Sequence, residues 1–108
     1  MADTPANETL EVDVETMRER ARHAVSLLKS ISNENRLMIL CHLGKGEMSV
    51  AEINERFDLS QSALSQHLAV LRKDGLVSTR RESQTIYYSL ASEEAARLIQ
   101  FLYAEFCG

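Results

Sequence analysis

The stretch Ser60–Leu76 constrains the fold most, because it holds a complete helix with a start, a repeat and a stop. Ser60 is a helix-capping residue type, and Asp74-Gly75 is typical of a helix end. Apolar positions recur at helical spacing: Leu64, Leu68 and Leu71. The other face carries side chains able to read hydrogen-bonding edges: Gln61, Ser62, Ser65 and Gln66. This pattern indicates a DNA recognition helix.

A shorter helix is predicted immediately before this stretch. Ser49 and Glu52 have the spacing of a capping box, and the helix that they start carries Ile53 and Phe57. Asp58-Leu59 then makes a tight connection to Ser60. Two short helices joined by such a turn form a helix-turn-helix, whose second helix enters the major groove of DNA.

After Gly75 the pattern changes from helical spacing to alternation. Val77–Arg81 and Thr85–Leu90 are rich in β-branched and aromatic residues and are separated by polar residues 82–84, which predicts a two-stranded hairpin. Ser92 caps a last helix with one apolar side, formed by Ala95, Leu98, Ile99, Leu102, Tyr103 and Phe106.

Two more helices are predicted before the helix-turn-helix, and residues 1–12 are predicted to be a disordered tail. An apolar stripe runs from Val14 to Ile31, and Glu34–Leu43 is apolar nearly all round, so it should be buried. Residues 13–108 are therefore predicted to form a mainly α (α+β) winged helix-turn-helix domain with an additional helix at each end. A small core could not easily cover the stripes of the terminal helices, so a two-fold homodimer is expected.

The net charge of −4 argues against a generic DNA binder, so the distribution of charge matters more than its sum. When the chain is divided into residues 1–20, 21–60, 61–91 and 92–108, only residues 61–91 have a net positive charge, with four basic and two acidic side chains. No apolar run approaches the ~20 residues of a membrane span, and no signal-peptide pattern begins the chain. We therefore expect a cytoplasmic protein without a membrane partner, in a compartment that keeps thiols reduced.

Three segments resemble the ArsR-type winged-helix transcriptional repressors: NENRLMILCHL, SVAEINERFDLSQSALSQHLAVLRKDGLV and the Tyr88-Ser-Leu90 end of the hairpin. The spacing of residues in the pattern S-x-x-S-x-H-L-x-x-L-x-x-x-G-L-V, from Ser62 to Val77, is highly specific for this family. The likeness is greatest to the sulfur-responsive branch with SqrR, BigR and the HlyU regulators, through RLMILCHL, RRESQTIYYSL and a C-terminal cysteine. The resemblance implies a dimeric repressor of operator DNA that responds to persulfides through Cys41 and Cys107. Spacing alone does not bring these two residues together, and without the resemblance Cys41 would be interpreted as core.

The metal-sensing patterns of this family are not matched. Cys41 stands beside His42, and neighbours on a helix point about 100° apart, so they chelate poorly. The last helix has no His or Asp. We therefore predict no metal site and no cofactor, although a metal-responsive repressor of the same fold remains an alternative.

The predicted DNA-binding residues lie on the recognition helix and the hairpin: Gln61, Ser62, Ser65, Gln66, His67, Arg72, Lys73, Arg80 and Arg81. His67 follows Leu64 by three positions, so a contact with DNA and a place at the core margin are both open for it. No enzymatic activity is predicted, because a thiol enzyme using Cys41 and His42 lacks suitable geometry. A protein-interaction module that does not bind DNA is a further alternative, kept open by the negative charge.

Overall fold

The computed structural model describes residues 13–108, so the predicted tail at residues 1–12 lies outside the described part. The first helix, α1, spans Val14–Ile31, and Asp13 caps it by accepting the Thr16 amide at 2.7 Å. The second helix, α2, spans Glu34–Leu43, and the side chain of Asn33 accepts two of its first amides. Both helices were predicted from the sequence with these bounds.

The helix-turn-helix consists of α3, Val50–Arg56, and α4, Gln61–Lys73. The predicted capping box is confirmed, since the Glu52 amide donates to Ser49 Oγ at 3.1 Å and the Ser49 amide donates to Glu52 Oε1 at 2.8 Å. Ser60 caps α4 by accepting the Ala63 amide. Gly75 ends the helical segment at a φ of +78°, where a side chain would be strained.

The hairpin is longer by one residue than predicted, and its sheet has a third strand. The strand pair is β2, Val77–Glu82, and β3, Thr85–Leu90, with Ser83 at a φ of +57° in the connection. A two-residue strand, β1 at Met48–Ser49, pairs antiparallel with β3, giving the order β1-β3-β2. The predicted two-stranded wing is thus confirmed as β2 and β3. Strand β1 is an addition that the sequence did not predict, because a two-residue strand shows no periodicity and Ser49 fits a helix cap.

The last helix, α5, spans Glu93–Phe106 after the cap Ser92. The core gathers apolar side chains from every helix and from β2: Ile31, Ile39, Leu40, Leu43, Ile53, Phe57, Leu64, Leu68, Leu71, Leu76, Val77, Ala95 and Ile99. The expectation that α2 is buried all round was wrong in part. Its Ile39 and Leu40 are fully buried, whereas Met38 is exposed and Cys41 is half-buried beside the end of α5.

Candidate DNA-binding surface and cysteine pocket

Helix α4 is anchored by its apolar face and leaves its polar face in solvent. Its three leucines are at most 3% exposed, so the orientation of the helix in the domain is fixed: Leu64, Leu68 and Leu71. The four polar residues that were predicted to read DNA are all exposed: Gln61, Ser62, Ser65 and Gln66. The amide and hydroxyl groups of this face are thus accessible to a ligand without movement of the helix.

His67 lies between these two faces and is half-buried. Its Nδ1 is 3.4 Å from Nη1 of Arg36, at the start of α2. A guanidinium has only donors, so Nδ1 accepts in this contact and Nε2 carries the proton of the neutral ring. His67 thus lies at the core margin, where it contacts the start of α2.

Arg72 and Lys73 line a groove between α4 and the wing. The groove has a volume of about 660 Å³, and residues of α3, α4 and β3 form its walls: Val50, Ser65, Leu68, Ala69, Arg72, Lys73, Ile86 and Tyr88. Two cations and the hydroxyls of Ser65 and Tyr88 thus share one groove beside the exposed face of α4. This is the charge and shape that a phosphate backbone would meet.

The two arginines of the wing differ in their surroundings. Arg80 donates to both carboxylate oxygens of Glu47, at 2.8 and 2.9 Å, and to Glu82 at 3.1 Å. Its guanidinium also lies 4.4 Å from the ring of Tyr87. These hydrogen bonds raise the pKa of Arg80 and lower the pKa of Glu47. Arg80 thus ties β2 to the segment before β1.

Arg81 is exposed on the opposite side of β2 and makes no ion pair within residues 13–108. Of the two predicted wing contacts, Arg81 is thus the one whose charge is not already matched by a carboxylate. Glu47 was missed by sequence reasoning. It lies 33 residues from Arg80, and no local pattern joins them.

Cys41 and Cys107 line one pocket, although they are 66 positions apart in the chain. The pocket, of about 200 Å³, lies between α2 and the end of α5 and is lined by Leu37, Met38, Cys41, His42, Lys45, Tyr103 and Cys107. Both thiols are unbridged, Cys107 is exposed and Cys41 is half-buried. Burial raises the pKa of Cys41 and the nearby Cys107 raises it further, whereas Lys45 acts in the opposite direction.

His42 shares this pocket but is directed elsewhere by its own contacts. Its Nδ1 is 3.2 Å from the carbonyl oxygen of Met38, and its ring meets that of Phe57 edge to face at 5.0 Å. These contacts do not arrange it as a base for the Cys41 thiol. Lys45 was missed by the sequence analysis, because it lies in the turn after α2, where helical spacing no longer predicts which side chains share a face.

Metal-binding and membrane-spanning features were sought in the same range. Residues 13–108 contain no group of three or more His, Cys, Asp or Glu side chains placed to hold a metal ion. None of the five described helices is long and apolar enough to cross a membrane.

A helix-turn-helix followed by a β wing defines a winged-helix protein that binds DNA. Residues 33–79 match the family model described as bacterial regulatory protein, arsR family. The chain is 50% identical over 96 residues to the transcriptional activator HlyU of Vibrio cholerae, covering 89% of each chain. It is 44% identical to the biofilm growth-associated repressor of Agrobacterium fabrum, covering 100% of this chain and 95% of that one. The chain belongs to the ArsR family and is a DNA-binding regulator of transcription.

Solved structures give the same assignment. Reduced HlyU from Vibrio cholerae N16961 superimposes with a TM-score of 0.84 at 50% identity, covering 88% of this chain and all of that one. The winged helix-turn-helix DNA-binding domain of Mb0332 from Mycobacterium bovis, described as homodimeric, has a TM-score of 0.75 at 29% identity, with 86% of each chain covered. The matched relatives regulate transcription, which supports at the family level the prediction that this chain is not an enzyme.

Proposed function

We propose that this regulator is a homodimeric repressor that releases its operator when Cys41 and Cys107 are joined by oxidation or by reactive sulfur species. The observation that carries the proposal is the single pocket that both thiols line. A sensor pair must meet in space, and this pocket brings a thiol of α2 near a thiol at the end of α5. In this proposal the reduced protein is the DNA-binding state.

The DNA partner in this proposal is a double-stranded operator read by α4 in the major groove. Gln66 and its exposed neighbours face the bases, while Arg72, Lys73 and Arg81 meet phosphates. The dimer supplies a second α4, about one helical turn (~34 Å) away along the duplex.

A homodimer is supported by apolar side chains that one copy of the chain leaves in solvent. On α1 these include Leu28, which is 52% exposed, and on α5 they include Phe106, which is 82% exposed. Exposed apolar surface of this extent on two helices is typical of an interface. The homodimeric state of Mb0332, which shares the fold, is consistent with that interpretation.

The thiol chemistry begins at Cys107, since it is the more exposed of the two and the raised pKa of Cys41 leaves that residue mostly protonated near neutral pH. The Cys107 thiolate attacks the outer sulfur of a persulfide R–S–SH and forms the persulfide of Cys107; the S–S bond of the donor breaks, and RSH leaves after protonation. The Cys41 thiolate then attacks the Cys107 sulfur atom and releases hydrogen sulfide. Two thiols are oxidised to one disulfide, and one sulfane sulfur is reduced to sulfide.

A bridge would tie α2 to the end of α5 and so change the layer between the proposed dimer interface and α4. Leu40 and Ile39 of α2 lie in the same core as the leucines of α4, so a displacement of α2 is felt by the recognition helix. Two packed arrangements with different spacing of the two α4 helices would then differ in operator affinity.

The test follows DNA binding to a fragment from the upstream region of the regulator's own gene, by fluorescence anisotropy, before and after treatment with a persulfide donor. Wild-type protein should release the fragment and regain it after reduction, whereas Cys41→Ser and Cys107→Ser should bind DNA and keep it. Treatment with iodoacetamide provides a control in which thiols are capped without being bridged. Release of DNA by zinc at unchanged thiol mass would contradict the proposal and favour a metal sensor.

A further inference from the structure

The pocket lined by Cys41 and Cys107, called the cysteine pocket below, carries a positive charge from Lys45. Among the residues that line the pocket it is the one formally charged side chain, beside apolar Leu37 and Met38. Its ammonium nitrogen lies 5.4 Å from the centre of the Tyr103 ring, so the aromatic face holds it over the pocket wall. Lys45 lowers the pKa of Cys41 against the effect of burial, which places its charge within electrostatic reach of that thiol.

The backbone around both thiols has the opposite electrostatic effect. Cys41 lies in the last turn of α2, and Cys107 is the residue that caps the end of α5. The C-terminal end of a helix carries partial negative charge and disfavours anions. A thiolate or an anionic sulfur compound in this pocket therefore depends on a compensating cation.

Lys45 is available for that role because it is not ion-paired within residues 13–108, and two of the three carboxylates that share a neighbouring cavity with it have other partners. It also borders a polar cavity of about 340 Å³, which contains Glu47, Glu52 and Glu55. Glu47 is bound to Arg80, and Glu52 accepts the Ser49 amide. Lys45 itself makes no ion pair in the described part of the chain.

We propose that Lys45 makes the cysteine pocket a binding site for small anionic sulfur donors and so selects the inducer by charge. The inference rests on the proposed function and adds to it the chemical class of the ligand. The ammonium attracts the donor anion to the pocket and stabilises the thiolate that leaves the donor when Cys107 attacks it. It also stabilises the thiolate of Cys41 that resolves the product. A volume of about 200 Å³ has room for a short sulfur chain with a small organic substituent.

The test uses two thiol probes of opposite charge that share one reaction: sulfonatoethyl and trimethylammonioethyl methanethiosulfonate. In both, a cysteine thiolate attacks the sulfenyl sulfur, a disulfide forms, and methanesulfinate leaves. Rates are measured by intact mass on Lys45→Met, with Lys29→Met, a lysine of α1, as the matched control. Because both probes need the same thiolate, a change in the pKa of a cysteine alters the two rates together and leaves their ratio unchanged.

We expect Lys45→Met to lower the rate with the anionic probe roughly threefold at low salt and to raise the rate with the cationic probe by a similar factor. The anion-to-cation rate ratio then falls by about an order of magnitude, and the change shrinks in about 0.5 M salt. Lys45→Arg should keep the wild-type ratio, which separates charge from folding, and Lys29→Met should keep it as well.

A ratio that is unchanged in Lys45→Met would overturn the inference. The proposed function is tested separately, by DNA release from the same variant once Cys41 and Cys107 have been fully bridged. An unchanged ratio together with release on bridging removes the role of Lys45 alone. A changed ratio without release on bridging removes the sensor function and leaves an anion-selective thiol pocket.

Discussion

At the scale of single residues, Cys41 and Cys107 differ in the property that decides thiol reactivity. Cys107 is exposed, whereas partial burial raises the pKa of Cys41. A raised pKa means that a smaller fraction of Cys41 is thiolate at neutral pH, and the thiolate is the nucleophile. The pair thus consists of an accessible thiol that can react first and a partly shielded thiol that can resolve the product.

This difference predicts the pH dependence of Cys41 alkylation. In Cys107→Ser, the rate of reaction with iodoacetamide should rise steadily through the alkaline range, because deprotonation is displaced to higher pH than in an unperturbed cysteine. The rate is measured by intact mass at a series of pH values, with a denatured sample as the reference. A midpoint below that of the denatured sample would show that Cys41 is an activated thiol instead.

Gln66 is the residue on α4 for which we predict the largest effect on sequence-specific binding. Its exposed amide can pair with an adenine edge, so Gln66→Ala should weaken operator binding by roughly 1–3 kcal/mol. Anisotropy titrations with operator and with unrelated DNA measure the effect. Gln100→Ala, an exposed glutamine on α5, is the matched control and should leave the affinity unchanged. Equal affinities for Gln66→Ala and wild type would remove Gln66 from the DNA-binding surface.

At the scale of elements, the helices were predictable and the cross-chain contacts were not. The caps Asn33, Ser49, Ser60 and Ser92 mark helix starts that the structure reproduces, because capping is local chemistry. Strand β1 was missed because its pairing with Tyr87 and Tyr88 is its sole signal. The pairing of Cys41 with Cys107 was implied by the resemblance to a family and could not be predicted from the spacing of the two residues in the sequence.

In the wing, the ion pair of Arg80 with Glu47 is another contact between distant residues that the sequence did not predict. It leads to different predictions for Arg80 and Arg81. Arg81→Ala should reduce the magnitude of the salt slope of DNA binding by about one per protomer, since one phosphate contact is lost. Arg80→Ala should change the slope less, because Glu47 and Glu82 already offset its charge. Binding constants over a series of salt concentrations give both slopes. A larger loss for Arg80→Ala than for Arg81→Ala would exchange the roles of the two residues.

At the scale of the whole molecule, we predict a dimer because apolar side chains of α1 and α5 are exposed in a single copy of the chain. Leu28→Glu places a charge on a surface that a second copy would bury, and burying an unpaired charge is costly. We expect this variant to sediment as a monomer and to bind operator DNA far more weakly than wild type. Circular dichroism checks that the helices remain. Dimers of wild-type stability in Leu28→Glu would place the interface elsewhere.

In the proposed mechanism, the state of two thiols in one pocket controls a DNA-binding surface on another helix. The most direct measurement titrates the protein–operator complex with a persulfide donor and reads intact mass and anisotropy on the same samples. We predict that the fraction of chains with Cys41 and Cys107 bridged rises in proportion to the fraction of DNA released. Operator that stays bound to fully bridged protein, or that is released while both thiols remain unmodified, would contradict the account.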